Sequence, residues 1–261
     1  MSDRALSLFH DVADAVAERL VSATDLGESG QRVGQYAIDL VVDEVAVRML
    51  HDAGYAVLSE ESGHSGPAGR GVVVVDPLDG STNFSRGVPW YATALCLVDA
   101  DGPAVALVAN QASGERFAAV RGEGAWRGEV ARLAPSACTA PGSAVVGISG
   151  TPTGHYGWAQ FRALGASALD LCLVAAGTLD AYVDMSRDAH GVWDYLAATL
   201  VCREAGAVVV DALGRELVAL QHATRRTPAG ARSRGTPSTR PSRAVPRAVE
   251  PRICQCPGTI Q

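Results

Sequence analysis

Two aspartates three residues apart, Asp76 and Asp79, lie in the segment Asp76-Pro77-Leu78-Asp79-Gly80-Ser81-Thr82-Asn83-Phe84. Carboxylate oxygens at this spacing suit a hard divalent cation such as Mg²⁺. Pro77 fixes one backbone angle between the acids, and Gly80 admits conformations closed to other residues, so the two carboxylates are aimed. A lone D-x-x-D is most simply a solvated turn. Two further acidic groups shift that reading: Ser59-Glu60-Glu61-Ser62-Gly63 upstream and Gly191-Val192-Trp193-Asp194 downstream. Glu60 and Glu61 taken alone could equally cap a surface turn. An acid in the first turn of a helix, the place expected for Asp194, is favoured by about 0.3–1 kcal/mol through the helix dipole, so capping and ligation are both compatible with it.

Elements that would position these groups are readable around them. The run Val72-Val73-Val74-Val75 predicts a buried strand that delivers Asp76 and Asp79 into a turn at its end. Leu6, Phe9, Val12, Ala13, Val16 and Leu20 recur at helical spacing and predict a helix over about 3–23; a second helix is expected over about 36–53, ending at Gly54. Strands are expected at 56–58, 91–98, 104–110 and 116–120. From about 142 the pattern alternates: strands at 144–148, 181–183 and 207–210, with helices at 166–176 and 193–205. The chain thus divides into a half over 1–140 carrying most of the acidic motifs, a second α/β half over 141–226, and a tail over 227–261. The class is α/β, with helix pairs alternating with sheets in layers.

At 261 residues and 48% hydrophobic content the chain can bury a sizeable core. It has no lysine; before Arg225 there are 14 arginines against 27 acids, a net charge of −13. Such a body attracts cations, argues against nucleic acid as a partner, and requires metals to bridge an anionic phosphate. Cys96, Cys172 and Cys202 sit in apolar runs, Cys138 in a loop-like stretch, and Cys254 and Cys256 near the end, with no zinc or redox spacing among them. No segment is long and apolar enough to span a bilayer and no signal peptide is evident, so the expected setting is cytoplasmic and free of membrane.

The three acidic elements in this order resemble the inositol monophosphatase family, within the lithium-sensitive, Mg²⁺-dependent phosphatases. Its E-E-S element matches Glu60-Glu61-Ser62, its D-P-[IL]-D-G-[TS]-x-N-F element matches Asp76 to Phe84, and its element opening on W-D, continuing through A-A and closing on E-A-G matches Trp193 to Gly206, where Ala197-Ala198 and Glu204-Ala205-Gly206 stand. The resemblance implies a layered α/β sandwich, a homodimer, and hydrolysis of a small polyol or sugar phosphate, with inositol 1-phosphate as the default substrate. Two or three Mg²⁺ ions would be held by Glu60, Asp76, Asp79, Asp194 and the carbonyl of Leu78. Ser81, hydrogen-bonded to Asp43, would help activate water, although a solvated helix position is the plainer alternative for Asp43. Gly80, Ser81 and Thr82 would offer backbone N–H groups to the phosphate, and Ala166 and Asp184 would contact the polyol.

Three departures accompany the resemblance. Ser81 stands where Thr is commoner. Asp184 stands where inositol-selective members carry Glu, and the stretch to Trp193 is a few residues longer, with Arg187, Asp188 and His190 inside it. Arg187 or His190 could touch a leaving group, while a lone loop histidine is more often solvated. Arg32 is either a basic group near the phosphate or a solvated loop residue. Beyond Arg226, Pro, Arg, Ser, Thr and Gly dominate without apolar periodicity; residues 227–261 are expected to be disordered, in the manner of a frame-shifted or divergent tail, leaving out a last strand and helix and with them full catalytic power.

Overall fold

A computed structural model describes residues 2–67, 69–128 and 131–232. Helices α1 (Ser2–Val21) and α2 (Ala37–Asp52) come first, followed by strands β1 (Ala56–Ser59), β2 (Gly63–Ser65) and β3 (Val72–Asp79), the short helix α3 (Ser81–Arg86), and strands β4 (Ala92–Asp99), β5 (Gly102–Asn110), β6 (Arg116–Val120), β7 (Gly124–Arg127) and β8 (Ala131–Arg132). The second half holds β9 (Val145–Ser149), β10 (Gln160–Arg162), α4 (Ser167–Ala175), β11 (Ala181–Asp184), a 3₁₀ turn at Val192–Asp194, α5 (Leu196–Ala205), β12 (Ala207–Asp211) and β13 (Pro228–Arg232).

The strands form two mixed sheets, one of eight in the order β2-β1-β3-β4-β5-β6-β7-β8 and one of five in the order β10-β9-β11-β13-β12. In the first sheet only β1 and β3 run parallel. Side chains alternate across a strand, so Val73 and Val75 join Phe9, Val12 and Val16 of α1 in one core, while Val74 faces the other way and packs with Leu169, Trp193 and Leu196. Four layers result: the helix pair α1/α2, the large sheet, the pair α4/α5, and the small sheet. Because β3 is covered on both faces, its valines need no polar alternation. Among the described residues no helix is long and apolar enough to cross a membrane.

The helix expected to open at Trp193 begins later than the sequence indicated. Trp193 and Asp194 belong to the 3₁₀ turn, and the α-helix starts at Leu196. The expected boundary at 227 also falls one element too early. Pro228–Arg232 is a strand wedged antiparallel between β11 and β12, so the strand thought missing is in place. Its residues are small because the packing demands it: a Cβ on Gly230 would lie 2.9 Å from Leu171 Cδ2 and 3.4 Å from Val209 Cγ2. The expectation of a disordered tail otherwise concerns 233–261, which lie outside the described residues, as do Cys254 and Cys256.

Candidate functional site

The end of β3 is bulged. Asp76 pairs with Ala94 and Asp79 with Ala92, so Pro77 and Leu78 together oppose Thr93 alone. Thr93 Oγ1 donates to the Pro77 carbonyl at 2.9 Å, and the Leu78 N–H donates to Asp76 Oδ1 at 3.0 Å. Gly80 closes the turn at φ +88°, and a Cβ there would meet the carbonyl oxygens of Gly165 and Trp90 at 3.1 Å each, so both conformation and space require glycine. Asn83 Nδ2 ties the turn to the α4 entrance by donating to the Trp90 and Leu164 carbonyls at 2.7 and 2.8 Å.

Three carboxylates converge at this strand end. Glu60 follows β1, the parallel neighbour of β3, and its N–H donates to the Val75 carbonyl at 3.2 Å. Asp194 is held from the opposite side by the Gly191 N–H, which donates to Oδ2 at 2.6 Å. One carboxylate oxygen each from Glu60, Asp76 and Asp194 lie within 4.8 Å of one another. Asp79 flanks this trio, and the Ala168 N–H donates to its Oδ2 at 2.8 Å.

Burial, followed by the charges of Glu60, Asp79 and Asp194, pushes Asp76 well above the usual carboxylate range. Burial and then Asp194 and Glu61 do the same for Glu60. Asp79 is pushed up to about 8 by burial and by Asp194. Asp76 Oδ2 is buried with no hydrogen-bond partner among the described residues, and an unpaired buried oxygen costs free energy unless something binds it. An all-oxygen set with such an orphan fits a divalent cation like Mg²⁺. It fits a soft or borderline metal poorly, since no Cys or His stands among the donors.

Among the described residues the Ser81 hydroxyl makes no hydrogen bond to Asp43, the partner expected. Asp43 Oδ1 accepts the hydroxyl of Ser59, and Ser59 Oγ in turn accepts the Glu61 N–H at 3.2 Å, so Asp43 anchors the turn that carries Glu60. Asp39, one helical turn earlier on α2, is the carboxyl whose charged form the nearby Ser81 hydroxyl favours, although no hydrogen bond joins the two side chains. Its Oδ2 accepts the Tyr36 N–H at 2.8 Å, its Oδ1 is buried without a hydrogen-bond partner, and burial raises it to about 6. The sequence did not distinguish the two because Asp39 and Asp43, four residues apart, share one face of α2.

On the substrate side, Thr82 is exposed beside the Tyr36 hydroxyl, and Ala166 is buried at the N-cap of α4. Asp184 does not point to an open cleft. Its side chain is fully buried, Oδ2 accepts His190 Nδ1 at 2.8 Å, and Oδ1 accepts the Ser186 N–H at 2.8 Å. His190 is correspondingly not a solvated loop residue, being 8% exposed. Arg187 is exposed and beside Asp188. Arg32 pairs with Glu61 at 2.8 Å and lines an open cleft together with Glu60, Trp193, Asp194 and Arg225. The Arg225 guanidinium lies 5.0 Å from the Trp193 ring centroid, and His222 stacks on the same ring while its Nε2 bonds the Glu60 carbonyl at 2.9 Å. Neither Arg225 nor His222 carried a motif signal, since both lie in the irregular stretch before β13.

Residues 12–238 match the inositol monophosphatase family, and the chain belongs to it. It is 33% identical over 212 residues to a fructose-1,6-bisphosphatase/inositol-1-monophosphatase of Methanothermobacter thermautotrophicus, covering 73% of this chain and 75% of that protein. It is 31% identical over 192 residues to Nus factor SuhB of Pasteurella multocida, covering 67% and 70%. A solved Pyrococcus horikoshii protein with similarities to inositol-1 monophosphatase matches with a TM-score of 0.82 at 23% identity, covering 90% of this chain and 95% of that one, which speaks to the fold.

Proposed function

We propose that the chain is a Mg²⁺-dependent phosphomonoesterase acting on a small polyol or sugar phosphate, with inositol 1-phosphate the default substrate. The observation that carries this reading is the trio Glu60, Asp76 and Asp194, together with the unpartnered Asp76 Oδ2. Asp79 and the Leu78 carbonyl complete the ligand set. Bound there, two or three Mg²⁺ ions would supply Lewis-acid activation of water and neutralise charge on the departing alkoxide.

The chain's own groups orient and move the proton. Ser81 Oγ would take a proton from the attacking water and pass its own to Asp39 once the two side chains close to hydrogen-bond distance; a carboxyl raised to about 6 is suited to that task near neutral pH. The N–H groups of Ser81 and Thr82, in the first turn of α3, have no intrahelical acceptor and are left to bind phosphate oxygens. With Asp184 engaged by His190, recognition of the alcohol falls to the rim of the cleft, where Arg32 and Arg225 lie.

The test is phosphate release by the full chain, with Mg²⁺ and with EDTA, from inositol 1-phosphate, histidinol phosphate, fructose 1,6-bisphosphate and 3′-phosphoadenosine 5′-phosphate. Mg²⁺-dependent release from one or more is expected. The likeness to a protein named Nus factor SuhB favours a second reading, a role independent of turnover. Silence on all four substrates from a folded, Mg²⁺-binding sample would overturn the phosphatase and favour that role.

A further inference from the structure

His190 sits in the stretch between Asp184 and Trp193 that is longer than the family pattern, and it is enclosed by groups that use both ring nitrogens. Nδ1 donates to Asp184 Oδ2 at 2.8 Å, a carboxylate that can only accept. Nε2 bonds Ser167 Oγ at 2.6 Å, and that hydroxyl bonds the Tyr182 hydroxyl at 2.9 Å. The imidazole therefore joins β11, which supplies Tyr182 and Asp184, to the first residue of α4. Its backbone is fixed as well, paired with Arg226 by two hydrogen bonds of 3.2 and 2.8 Å.

Each end of this brace is one step from a carboxylate of the site. The residue after Ser167 is Ala168, whose N–H holds Asp79 Oδ2. The residue after His190 is Gly191, whose N–H holds Asp194 Oδ2. Asp79 and Asp194 arrive from different halves of the chain, and the charge of Asp194 disfavours that of Asp79, so nothing in their own charges keeps them together. A rigid link between Ser167 and His190 does.

We propose that His190 is a positioning residue: bridging Asp184 and Ser167, it fixes the Asp79 carboxylate relative to that of Asp194 and thereby sets the affinity of the site for divalent cation. The inference rests on the metal-site reading above. Outer groups that orient ligands act on metal affinity by roughly 10–100-fold when removed, and losses of that size are expected here.

Mg²⁺ binding to the full chain is measured by titration calorimetry, without substrate, for wild type, His190→Ala, Ser167→Ala and the double variant, with circular dichroism as the check on folding. The expected result is a 10-fold or greater weakening in each single variant, with the double variant no weaker than the worse of the two, because both break one brace. Wild-type affinity in folded His190→Ala, or losses that add in the double variant, would overturn the proposal. If His190→Ala does not fold, Ser167→Ala decides alone, and unchanged affinity there overturns it. A wild type that binds no Mg²⁺ instead defeats the metal-site reading, so the two failures are distinguishable.

Discussion

Asp76 and Asp211 are almost equally buried, at 1% and 3% exposure, and their surroundings push them in opposite directions. Burial raises both. At Asp211, however, Arg215 donates from Nε and Nη2 at 3.1 and 2.8 Å, the Leu213 and Thr227 N–H groups add two more bonds, and the carboxyl is held below its ordinary value. At Asp76 one N–H answers one oxygen, the other oxygen has nothing, and three further acids crowd in. The first arrangement is complete within the chain and tethers β12 to β13. The second leaves a buried carboxylate oxygen unanswered among the described residues, and that, more than the number of acids, marks it as a candidate functional site.

Substitutions that separate the two regions should differ in kind. Asp76→Asn or Asp79→Asn is expected to reduce Mg²⁺-dependent phosphate release to background while leaving the metal-free fold as stable as wild type or more so, because a buried carboxyl whose ionisation the fold disfavours has been removed. Thermal unfolding in EDTA checks the second half of that statement, and a marked fall in Tm would erase the contrast with Asp211. Asp211→Asn should do the reverse: about 1.5–3 kcal/mol of stability lost with the charge-assisted bonds to Arg215, and an unaltered Mg²⁺ requirement in the phosphate-release assay.

The same contrast sets a pH dependence. Asp79, at about 8 in the fold, binds its proton more tightly folded than unfolded, where the ordinary value is 3.8. Its contribution to metal-free stability is therefore complete below about pH 4 and lost as pH climbs toward 8. Asp170, raised to about 7 by burial against the opposing Trp90 N–H, acts in the same direction away from the cluster. Calorimetric Tm values in EDTA should fall from pH 5 to pH 8, and saturating Mg²⁺ should flatten that slope without abolishing the part due to Asp170. Identical slopes with and without Mg²⁺ would contradict the assignment of the cluster.

Smaller effects sharpen the choice between the two aspartates of α2. Asp39→Asn and Ser81→Ala are expected to lower turnover by roughly 10²-fold with little change in Mg²⁺ affinity, as loss of an assisted proton transfer would. Asp43→Asn should cost much less, acting only through Ser59 and the Glu60 turn. Equal turnover numbers for the two asparagine variants would restore Asp43 to the role expected from the sequence.

Those outcomes track how much was legible in the chain itself. The valine run, the helical spacing of α1 and the three acidic motifs placed β3, the first core and the converging carboxylates, because period and motif are local. Asp39 against Asp43 was not decidable, since a helix presents both on one face and only the approach of α3 selects between them. Strand β13 was invisible because Pro-Ala-Gly-Ala-Arg carries neither alternation nor β-branched residues; its conformation is imposed by β11 and β12 on its flanks and by Leu171 above. His190 read as loop because its burial depends on Asp184, Ser167 and Arg226 meeting from three separate segments.

Calorimetric titration of the full-length wild type with Mg²⁺ at pH 7, in two buffers of different ionisation enthalpy, tests the uncompensated acids most directly. Carboxyls that hold protons in the metal-free fold must release them when a cation binds, so the observed heat should differ between buffers in proportion to the protons released. No Mg²⁺ binding by a folded sample would contradict the claim that Glu60, Asp76, Asp79 and Asp194 form a metal centre, and binding without proton release would contradict their raised proton affinity.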